Sequence, residues 1–563
     1  MSNDQPGSPV LRLAAAIPRI RIAYFSMEIG LRPEMATYSG GLGMLAGDSA
    51  RAAADLEIPM VFVSLVSREG YLRQEIDAAG RQVELPDPWD PAQWTEPLGA
   101  KIVVELEGRE VWVRPWLYHV AGRLGFELPV ILLDTDLPEN DPRDRTITHR
   151  LYAGENAWRL RQEAVLGIGG VRILRALGFD LDTFHMNEGH AALLALELLR
   201  HRPGDVAAVR EQCIFTTHTP VEAGHDRFPW DLVERVLGSE VAVAELEKHC
   251  GGGSLNMTRL ALELSGFVNG VAKRHALTSA RMFPGVRVRA ITNGVHGPTW
   301  AAPSIAALYD RHLPDWRHEP EILVRADYLP DDEMWAAHEE ARRALLAGVE
   351  GRTGRRLPPD VALLGFARRM TGYKRPGLLF EDPDRLLAIH GRTPMAVLVA
   401  GKAHPADVGG KAAIHAIHQM SERLRGQLEV VFLEDYGMAL GKLMTGGCDV
   451  WLNTPLPPME ASGTSGMKAA LNGVLNLSVL DGWWLEGCVE GETGWAIGDG
   501  AGGALHGQDA AALHATLGDT VLPLYHGDRK RWIGMMKEAV SKLGSTFNAH
   551  RMMRRYATEA YLR

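Results

Sequence analysis

The chain has 563 residues, of which 46% are hydrophobic and 23% charged, and its formal net charge is −10. This length exceeds what a single hydrophobic core usually supports, so at least two domains are expected. The composition is that of an ordinary globular protein and does not indicate disorder. The acidic balance argues against nucleic acid as the main partner, because nucleic-acid binding needs a basic surface.

Cysteine usage and hydropathy indicate the cellular setting. The four cysteines, Cys213, Cys250, Cys448 and Cys488, form no C-x-x-C pair, so neither a disulfide framework nor a zinc knuckle is indicated. No apolar run approaches the roughly 20 residues that cross a bilayer, and the first residues do not have the pattern of a secretory signal. We therefore expect a cytoplasmic protein that does not act at a membrane.

Short apolar runs alternate with longer amphipathic stretches, which is typical of open parallel sheets. The clearest predicted strands are Ala362–Ala367, Val430–Leu433 and Leu475–Leu480, with helical stretches between them. A turn-rich and proline-rich segment follows Ile291. We predict an α/β protein with two doubly wound, Rossmann-like domains, residues 1–298 and 299–563, and expect the last helices to pack back on the first domain.

A glycine loop lies near the N-terminus, in the segment Tyr38-Ser-Gly-Gly-Leu-Gly43, and a helical stretch follows it. Adjacent glycines let a ligand approach the backbone closely, and the start of a helix offers N–H groups to an anion. Taken alone, the segment is better explained as a tight turn between a strand and a helix.

Two histidine segments follow predicted strands, His185-Met-Asn-Glu-Gly-His190 and Thr216-Thr-His-Thr-Pro220. The spacing of His185, Glu188 and His190 is not that of a helical zinc site, and we expect no metal. His218 lies just past a strand end, where a side chain can face the cleft between two domains.

The segment Arg368-Arg-Met-Thr-Gly-Tyr-Lys-Arg375 directly follows a predicted strand. Arginine offers a planar fork to phosphate oxygens, and lysine offers a compact point charge. Charge runs usually mark solvated surface. Four cations at the carboxyl end of a central strand in an acidic protein fit an anion site better.

The segment Glu460-Ala-Ser-Gly-Thr-Ser-Gly-Met-Lys-Ala-Ala-Leu-Asn-Gly473 combines a carboxylate, a run of small residues and a lysine at a helix start. The small residues can form an anion-binding nest of N–H groups. Lys468 is flanked by small or apolar residues. Desolvation and neighbouring cations would lower its pKa, as Schiff-base chemistry requires.

These motifs together resemble those of the glycogen (α-glucan) phosphorylases, glycosyltransferase family 35, and most of all their short bacterial and archaeal subgroup. The resemblance rests on four motifs in the family's order: Gly40-Gly-Leu-Gly43, Thr292-Asn-Gly294, Arg369-x-x-x-Tyr-Lys374 and Glu460-Ala-Ser-Gly-Thr-x-x-Met-Lys-x-x-x-Asn-Gly473. It runs from about Arg19 to the C-terminus. It implies a GT-B architecture, in which the two domains face a cleft.

The resemblance also implies a cofactor and roles for individual residues. Lys468 would hold pyridoxal 5'-phosphate covalently. The cofactor phosphate would be contacted by Arg368, Gly41, Tyr436, Thr464 and Ser465. Arg369 and Lys374 would bind the substrate phosphate. The sugar would be held by Glu460, His218, Asn293, Ser462 and Gly463, beside Gly40 and Leu42, and Glu188 and His190 match a family Asp-x-His segment.

The implied reaction is reversible, retaining phosphorolysis of an α-1,4-glucan such as glycogen or maltodextrin, with inorganic phosphate as acceptor and α-glucose 1-phosphate as product. A homodimer is implied as well. Two alternatives stay open. A nucleotide-sugar glucosyltransferase of the glycogen-synthase type would use the glycine loop and the basic pair but would not need Lys468. A catalytically diverged glucan-binding relative would have no reason to keep Lys468, Arg369, Lys374 and Glu460.

Overall fold

The computed structural model describes residues 9–152, 154–250, 252–498 and 506–562. The strands in these ranges are, in chain order, β1 (Ile22–Ser26), β2 (Met60–Leu65), β3 (Arg73–Ile76), β4 (Gln82–Leu85), β5 (Glu96–Pro97), β6 (Ile102–Leu106), β7 (Arg109–Ala121), β8 (Glu127–Asp134), β9 (Thr183–Asn187), β10 (Cys213–Thr217), β11 (Arg227–Pro229), β12 (Ser254–Asn256), β13 (Phe267–Gly270), β14 (Val288–Ala290), β15 (Ala362–Ala367), β16 (Met395–Ala400), β17 (Val430–Leu433), β18 (Val450–Asn453), β19 (Leu475–Val479) and β20 (Gly494–Ile497).

The α-helices in the same ranges are α1 (Pro9–Ala16), α2 (Gly41–Asp55), α3 (Pro142–Arg145), α4 (Asn156–Ala164), α5 (Gly170–Ala176), α6 (Leu193–His201), α7 (Val206–Gln212), α8 (Trp230–Leu237), α9 (Val243–Cys250), α10 (Met257–Glu263), α11 (Lys273–Met282), α12 (Gly297–Trp300), α13 (Pro303–His312), α14 (Asp331–Thr353), α15 (Pro383–Arg392), α16 (Val408–Leu424), α17 (Met438–Gly447), α18 (Thr464–Leu471), α19 (Trp484–Gly487), α20 (His506–Thr516), α21 (Leu522–Gly527), α22 (Arg529–Glu538) and α23 (Ala549–Tyr556). Short 3₁₀ helices occur at Ile17–Arg19, Pro91–Gln93, Gly189–Ala191, Glu222–Gly224, Pro320–Tyr328, Gly372–Lys374 and Leu378–Phe380, and π-helical turns at Val165–Gly169, Leu517–Val521, Ala539–Gly544 and Ala557–Tyr561.

The first half of the chain forms a ten-stranded sheet with the order β14-β13-β10-β9-β1-β2-β8-β7-β5, and β6 pairs with β7. β1 pairs in parallel with both β2 and β9, so the sheet grows outward in both directions from β1. β1, β2 and β10 are buried along their whole lengths. This is expected of parallel strands that are covered by helices on both faces.

The second half forms a six-stranded parallel sheet with the order β17-β16-β15-β18-β19-β20. Counted along the chain, this is the order 3-2-1-4-5-6 of doubly wound dinucleotide-binding folds. The winding direction reverses between β15 and β18, and ligands in such sheets bind at the carboxyl ends of the strands beside that reversal. The predicted α/β fold class with two doubly wound sheets is therefore confirmed.

Each half of the chain contributes a segment that packs against the other half. α23 lies at the far C-terminal end, yet its Met552, Met553 and Tyr556 belong to the same buried cluster as Tyr24 of β1 and Phe62 of β2. The β3–β4 hairpin reaches the other way. Its buried Gln82 accepts a hydrogen bond from the backbone N–H of Ala403 at 2.9 Å. The domain boundary at residue 298 lies between the two sheets and stays a prediction.

Some details differ from the sequence-based expectation. β5, β6 and β7 form an antiparallel edge that the apolar runs do not indicate, because β7 alternates buried and partly exposed residues. α18 begins at Thr464, so Lys468 lies in its second turn and not at the helix start. Arg563, the end of the predicted C-terminal helical stretch, lies outside the described residues. Among the helices within the described ranges, none is long and apolar enough to cross a membrane.

Candidate active site

The carboxyl ends of β15 and β18 bring two of the predicted motifs together. Arg368 and Arg369 directly follow the last residue of β15. Glu460 follows β18 by a short loop that leads into α18. Because the winding reverses between these two strands, both segments open into the same crevice.

Glu460 is the centre of a buried ion cluster. Its Oε2 atom accepts a hydrogen bond from Arg368 Nη2 at 2.7 Å and also contacts Lys374 Nζ. All three side chains are at most 10% exposed. Burial by itself would raise the pKa of Glu460, but Arg368 and Lys374 outweigh it and lower that pKa to about 2. The carboxylate is therefore ionised at any physiological pH.

Behind this cluster, Asp481 fixes the backbone of the Glu460 loop. The N–H of Glu460 donates to Asp481 Oδ2 at 2.8 Å, and the N–H of Gly482 donates to Oδ1 at 2.9 Å. Burial raises the pKa of Asp481 to about 6, although these two N–H donors act in the opposite direction. The position of the Glu460 carboxylate thus depends on a second, buried carboxylate.

Several buried polar atoms around the crevice have no hydrogen-bond partner within the described residues. They are Nε and Nη1 of Arg368, Oγ of Ser462 and Oδ1 of Asn293. Buried polar groups in folded proteins are almost always paired, so each such atom needs an explanation. Two arginine donors fit an anion, whereas a serine hydroxyl and an amide oxygen fit the hydroxyl groups of a sugar.

Lys468 lies in α18 with its Nζ atom 3.4 Å from the centroid of the Trp300 ring. Burial lowers the pKa of Lys468 to about 8, with the nearby cations Arg51 and Lys442 acting in the same direction and Asp48 opposing them. In the described part of the chain the amine makes no hydrogen bond or ion pair. Near neutral pH a usable fraction of it is therefore the nucleophilic, uncharged form.

The glycine loop is held by a buried carboxylate of the first sheet. Glu28 Oε2 accepts hydrogen bonds from the backbone N–H groups of Ser39, at 2.6 Å, and Gly40, at 3.1 Å. Its Oε1 accepts from the hydroxyl of Tyr152 at 2.9 Å. A Cβ atom built at Gly40 or Gly41 would meet nothing within 4 Å. The protein itself thus leaves open space above both glycines, at the start of α2.

The glycine loop also touches the second sheet. Tyr38 Oη accepts a hydrogen bond from the backbone N–H of Met438 at 3.0 Å, two residues after the half-buried Tyr436. Asp48, about two turns into α2, accepts the single N–H of Trp300 Nε1 on both carboxylate oxygens, at 2.8 and 3.0 Å. Through Trp300 the glycine helix reaches the amine of Lys468. The structure therefore brings these two predicted motifs together.

The remaining predicted contacts of an anion lie at the start of α18 or beside β15. Gly463 has a left-handed backbone, with φ of 97°, and Thr464 is the first residue of the helix. Ser465 Oγ accepts a hydrogen bond from Trp451 Nε1 at 3.2 Å. Arg369, unlike its neighbour Arg368, is exposed, and Leu42 is half-buried.

His218 and Glu188 occupy the strand ends of the first sheet. The N–H of His218 donates to Glu188 Oε2 at 2.7 Å, and its Nε2 lies 2.7 Å from Asn187 Oδ1. Burial lowers the pKa of His218 to about 3, so its ring is neutral at pH 7. Because the amide oxygen only accepts, Nε2 carries the hydrogen and Nδ1 can accept one from a ligand. No hydrogen bond or ion pair of the described chain joins His218 to Lys468 or Glu460.

The other two histidines of this region make separate contacts. His185 bonds Thr216 and Tyr561 through its two nitrogens, at 2.8 Å each. His190 Nε2 lies 3.1 Å from Arg159 Nη2. These side chains do not converge with Glu188 on one point.

Comparison with known proteins matches the carbohydrate phosphorylase family model over residues 227–490. The chain is 37% identical to maltodextrin phosphorylase of Thermococcus litoralis, over 96% of this chain and 70% of that protein. It is 37% identical to glycogen phosphorylase of Mycobacterium tuberculosis, over 97% and 71%, and 36% identical to that of Aquifex aeolicus, over 96% and 86%.

The chain belongs to the carbohydrate phosphorylase family.

The residues that position the site are mostly outside the recognised motifs. Glu28, Asp48 and Trp300 were not predicted. Glu28 follows β1 by two residues, and its place just past a strand end is a usable signal. Asp48 is a buried acid in an alanine-rich helix. Nothing in the sequence pairs Asp48 with Trp300, which lies 252 residues away.

The depressed pKa of Lys468 predicts a distinct pH dependence of its reactivity. In protein freed of carbonyl ligands with hydroxylamine, an acylating reagent should modify Lys468 half-maximally near pH 8, which mass spectrometry measures site by site. Asp48→Asn keeps an acceptor for Trp300 but removes the negative charge that stabilises the ammonium form. The midpoint should therefore move to lower pH. The pH dependence of the modification of exposed Lys530, measured in the same sample, serves as the reference for the intrinsic reactivity of the reagent. A midpoint that does not move, or one well above pH 9, contradicts the assigned environment.

Proposed function

We propose that this protein is an α-glucan phosphorylase, which transfers the terminal glucosyl unit of an α-1,4-glucan to inorganic phosphate and forms α-glucose 1-phosphate reversibly. Its membership of the family and the names of its relatives support this activity. The observation that carries the proposal is the buried cluster of Glu460 with Arg368 and Lys374, together with the buried amine of Lys468 on α18, the helix that follows the Glu460 loop. Glu460 can bind a sugar, Lys374 can bind a phosphate, and Lys468 can react with a carbonyl group.

We propose pyridoxal 5'-phosphate as the cofactor, held by Lys468. Two features of the chain support this fit: the lowered pKa of the lysine amine, and the two unpaired guanidinium nitrogens of Arg368. The start of α2 at Gly41, with open space above it, and the start of α18 at Thr464 offer backbone N–H groups to the cofactor phosphate. When bound, the cofactor supplies a phosphate that can take up and return a proton beside the substrate phosphate.

We assign the substrate phosphate to Arg369 and Lys374. The Arg369 side chain is exposed, with Tyr373 beside it, while Lys374 is buried against Glu460. Phosphate that reaches Lys374 therefore competes with the Glu460 carboxylate. In turn Glu460, loosened from Lys374, can accept hydrogen bonds from sugar hydroxyls. The two assignments are coupled, because one ion pair connects them.

The unpaired Ser462 hydroxyl and Asn293 amide oxygen are assigned to the sugar, together with Gly463 and the neutral His218. Buried groups of this kind discriminate between sugars, since a missing hydroxyl leaves a desolvated atom without a partner. Gly40 and Leu42 lie at the loop that would form the edge of the sugar site.

The reaction follows from this arrangement. The substrate phosphate gives a proton to the glycosidic oxygen, the bond from that oxygen to C1 breaks, and the shortened glucan leaves with a new 4-hydroxyl group. A phosphate oxygen then forms a bond to C1 on the same face, so the configuration is retained. Arg369 and Lys374 stabilise the negative charges, and burial of the cluster keeps water away from C1. A homodimer stays a prediction.

The cofactor assignment predicts opposite results for two lysines whose pKa is lowered, buried Lys468 and half-buried Lys442. Lys468→Ala should purify as a folded, inactive protein without the cofactor absorbance. Lys442→Ala should keep that absorbance, although burial also lowers the pKa of Lys442. Borohydride should fix the cofactor on the peptide that contains Met467 and Lys468. Label on a different lysine, or none in fresh protein, overturns the assignment.

The phosphate assignment predicts a defect in both reaction directions. Arg369→Ala removes charge-assisted hydrogen bonds worth about 1.5–3 kcal/mol, so the apparent phosphate requirement should rise roughly tenfold to hundredfold. The use of glucose 1-phosphate in synthesis should fall similarly, because one site serves both directions. Exposed Arg423 on α16 offers the control Arg423→Ala, which should behave as wild type.

The same assay distinguishes the alternative activities. Initial rates on a short maltodextrin are compared with phosphate, with water alone and with a nucleotide-sugar donor. Transfer from the nucleotide sugar only would favour a synthase-type enzyme and overturn the phosphorylase proposal. An Arg369→Ala variant with an unchanged phosphate requirement would remove Arg369 from the phosphate site.

A further inference from the structure

A cavity of about 280 Å³ lies at the end of α2 that is remote from the glycine loop. It is enclosed by that helix, by the last residues of β7 and by the start of α12. α2 runs for fifteen residues from Gly41 to Asp55, so about 20 Å separates its two ends. The cavity shares no lining residue with the ion cluster of Glu460, although Arg51, which lines it, also acts on the charge of Lys468.

Three donors that line this cavity have no partner. The guanidinium of Arg123 and the hydroxyl of Tyr118 make no hydrogen bond or ion pair within the described ranges of the chain. Arg51 donates from Nη2 to the carbonyl oxygens of Gly30 and Leu31, at 2.9 and 2.6 Å, which leaves its Nε atom unused. Arg123 is exposed and Tyr118 and Arg51 are half-buried, so these donors can meet solvent or a ligand. Polar groups that converge on a cavity with partly apolar walls are typical of a small-molecule site.

One carboxylate, Asp55, also faces the cavity, but both of its oxygens are engaged. Oδ1 accepts from the backbone N–H of Arg123 at 3.0 Å, and Oδ2 accepts from Nε2 of His296 and of His550, at 2.9 and 3.1 Å. Two imidazoles and a carboxylate are also a metal-ligand set. Hydrogen bonds explain the trio better, because His550 Nδ1 is buried without the partner that orients a metal-bound imidazole.

The charges around the cavity select the ligand class. Arg51 has Asp48 as a counter-ion at 3.4 Å, whereas Arg123 forms no ion pair in the part of the chain that is described and has Asp310 only at longer range. One cation is thus without a contacting carboxylate, which fits a single negative charge. The walls contributed by Leu31, Val120 and Pro298 are apolar. We infer that this cavity binds a small organic monocarboxylate, with its carboxylate on Arg123 and Arg51 and its apolar body against these walls.

The effect of such a ligand would be transmitted to the active site through a series of side-chain contacts. Arg51 pairs with Asp48, Asp48 accepts the indole N–H of Trp300, and the Trp300 ring lies against the amine of Lys468. A carboxylate on Arg51 competes with Asp48 for the guanidinium. The ligand therefore acts as an effector, because it changes the contacts of Asp48 and Trp300 that hold the Lys468 amine. This effect does not depend on whether the enzyme transfers the sugar to phosphate.

The test uses benzoate and the intact protein with its cofactor, in buffer without phosphate. Isothermal titration calorimetry should detect one benzoate site in wild type, and Arg123→Ala should weaken its binding about tenfold or more. Tyr118→Phe, which loses only a hydroxyl, should weaken it less. Arg281→Ala, at an exposed arginine of α11, should leave the affinity unchanged.

Two further outcomes decide the location and the role. Arg369→Ala should bind benzoate as wild type does; if it loses benzoate while Arg123→Ala keeps it, the carboxylate lies in the crevice and the inference is wrong. Saturating benzoate should change wild-type turnover about fivefold and leave Arg123→Ala turnover unaffected. Binding without any change in turnover overturns the effector role, and no binding overturns the site itself.

Discussion

The ion cluster of Glu460, Arg368 and Lys374 is the interaction on which the site depends. Three charged groups are buried at the junction of β15 and β18, and such burial is tolerated only when each charge is paired. Here two cations face one carboxylate, so a net positive charge remains in a place from which water is largely excluded. That imbalance stabilises a negatively charged ligand without further movement of the backbone.

The second constraint is the contact of Trp300 with Lys468. The indole is fixed by Asp48 on α2, and α2 begins at the glycine loop that Glu28 holds. The amine, the loop and the first sheet are thus connected by one series of side-chain contacts. Burial of a lysine without a carboxylate in direct contact is unfavourable for folding, and active sites commonly contain such residues because the chemistry needs them.

Much of the fold could be predicted from the sequence, because β15 and β17 are fully apolar runs whose bounds match the expectation residue for residue. The antiparallel edge at β7 could not be predicted, because buried and partly exposed residues alternate along β7 and no continuous apolar run marks it. The burial of Lys468 followed from its small and apolar neighbours. The pairing of Glu460 with Lys374 did not, because 86 residues separate them and only the completed sheet brings them together. The sequence suggested separate roles for these two residues, whereas the structure makes them partners.

The central claim is that phosphate, and not water, attacks C1 of the sugar at this cluster. The most direct measurement is phosphorolysis of maltoheptaose by the purified protein in ¹⁸O-labelled water with unlabelled phosphate, followed by mass spectrometry of the released sugar. We predict that the released sugar is α-glucose 1-phosphate and that its C1 oxygen is unlabelled, because that oxygen comes from phosphate. Free glucose that carries ¹⁸O at C1, formed without consumption of phosphate, would contradict it.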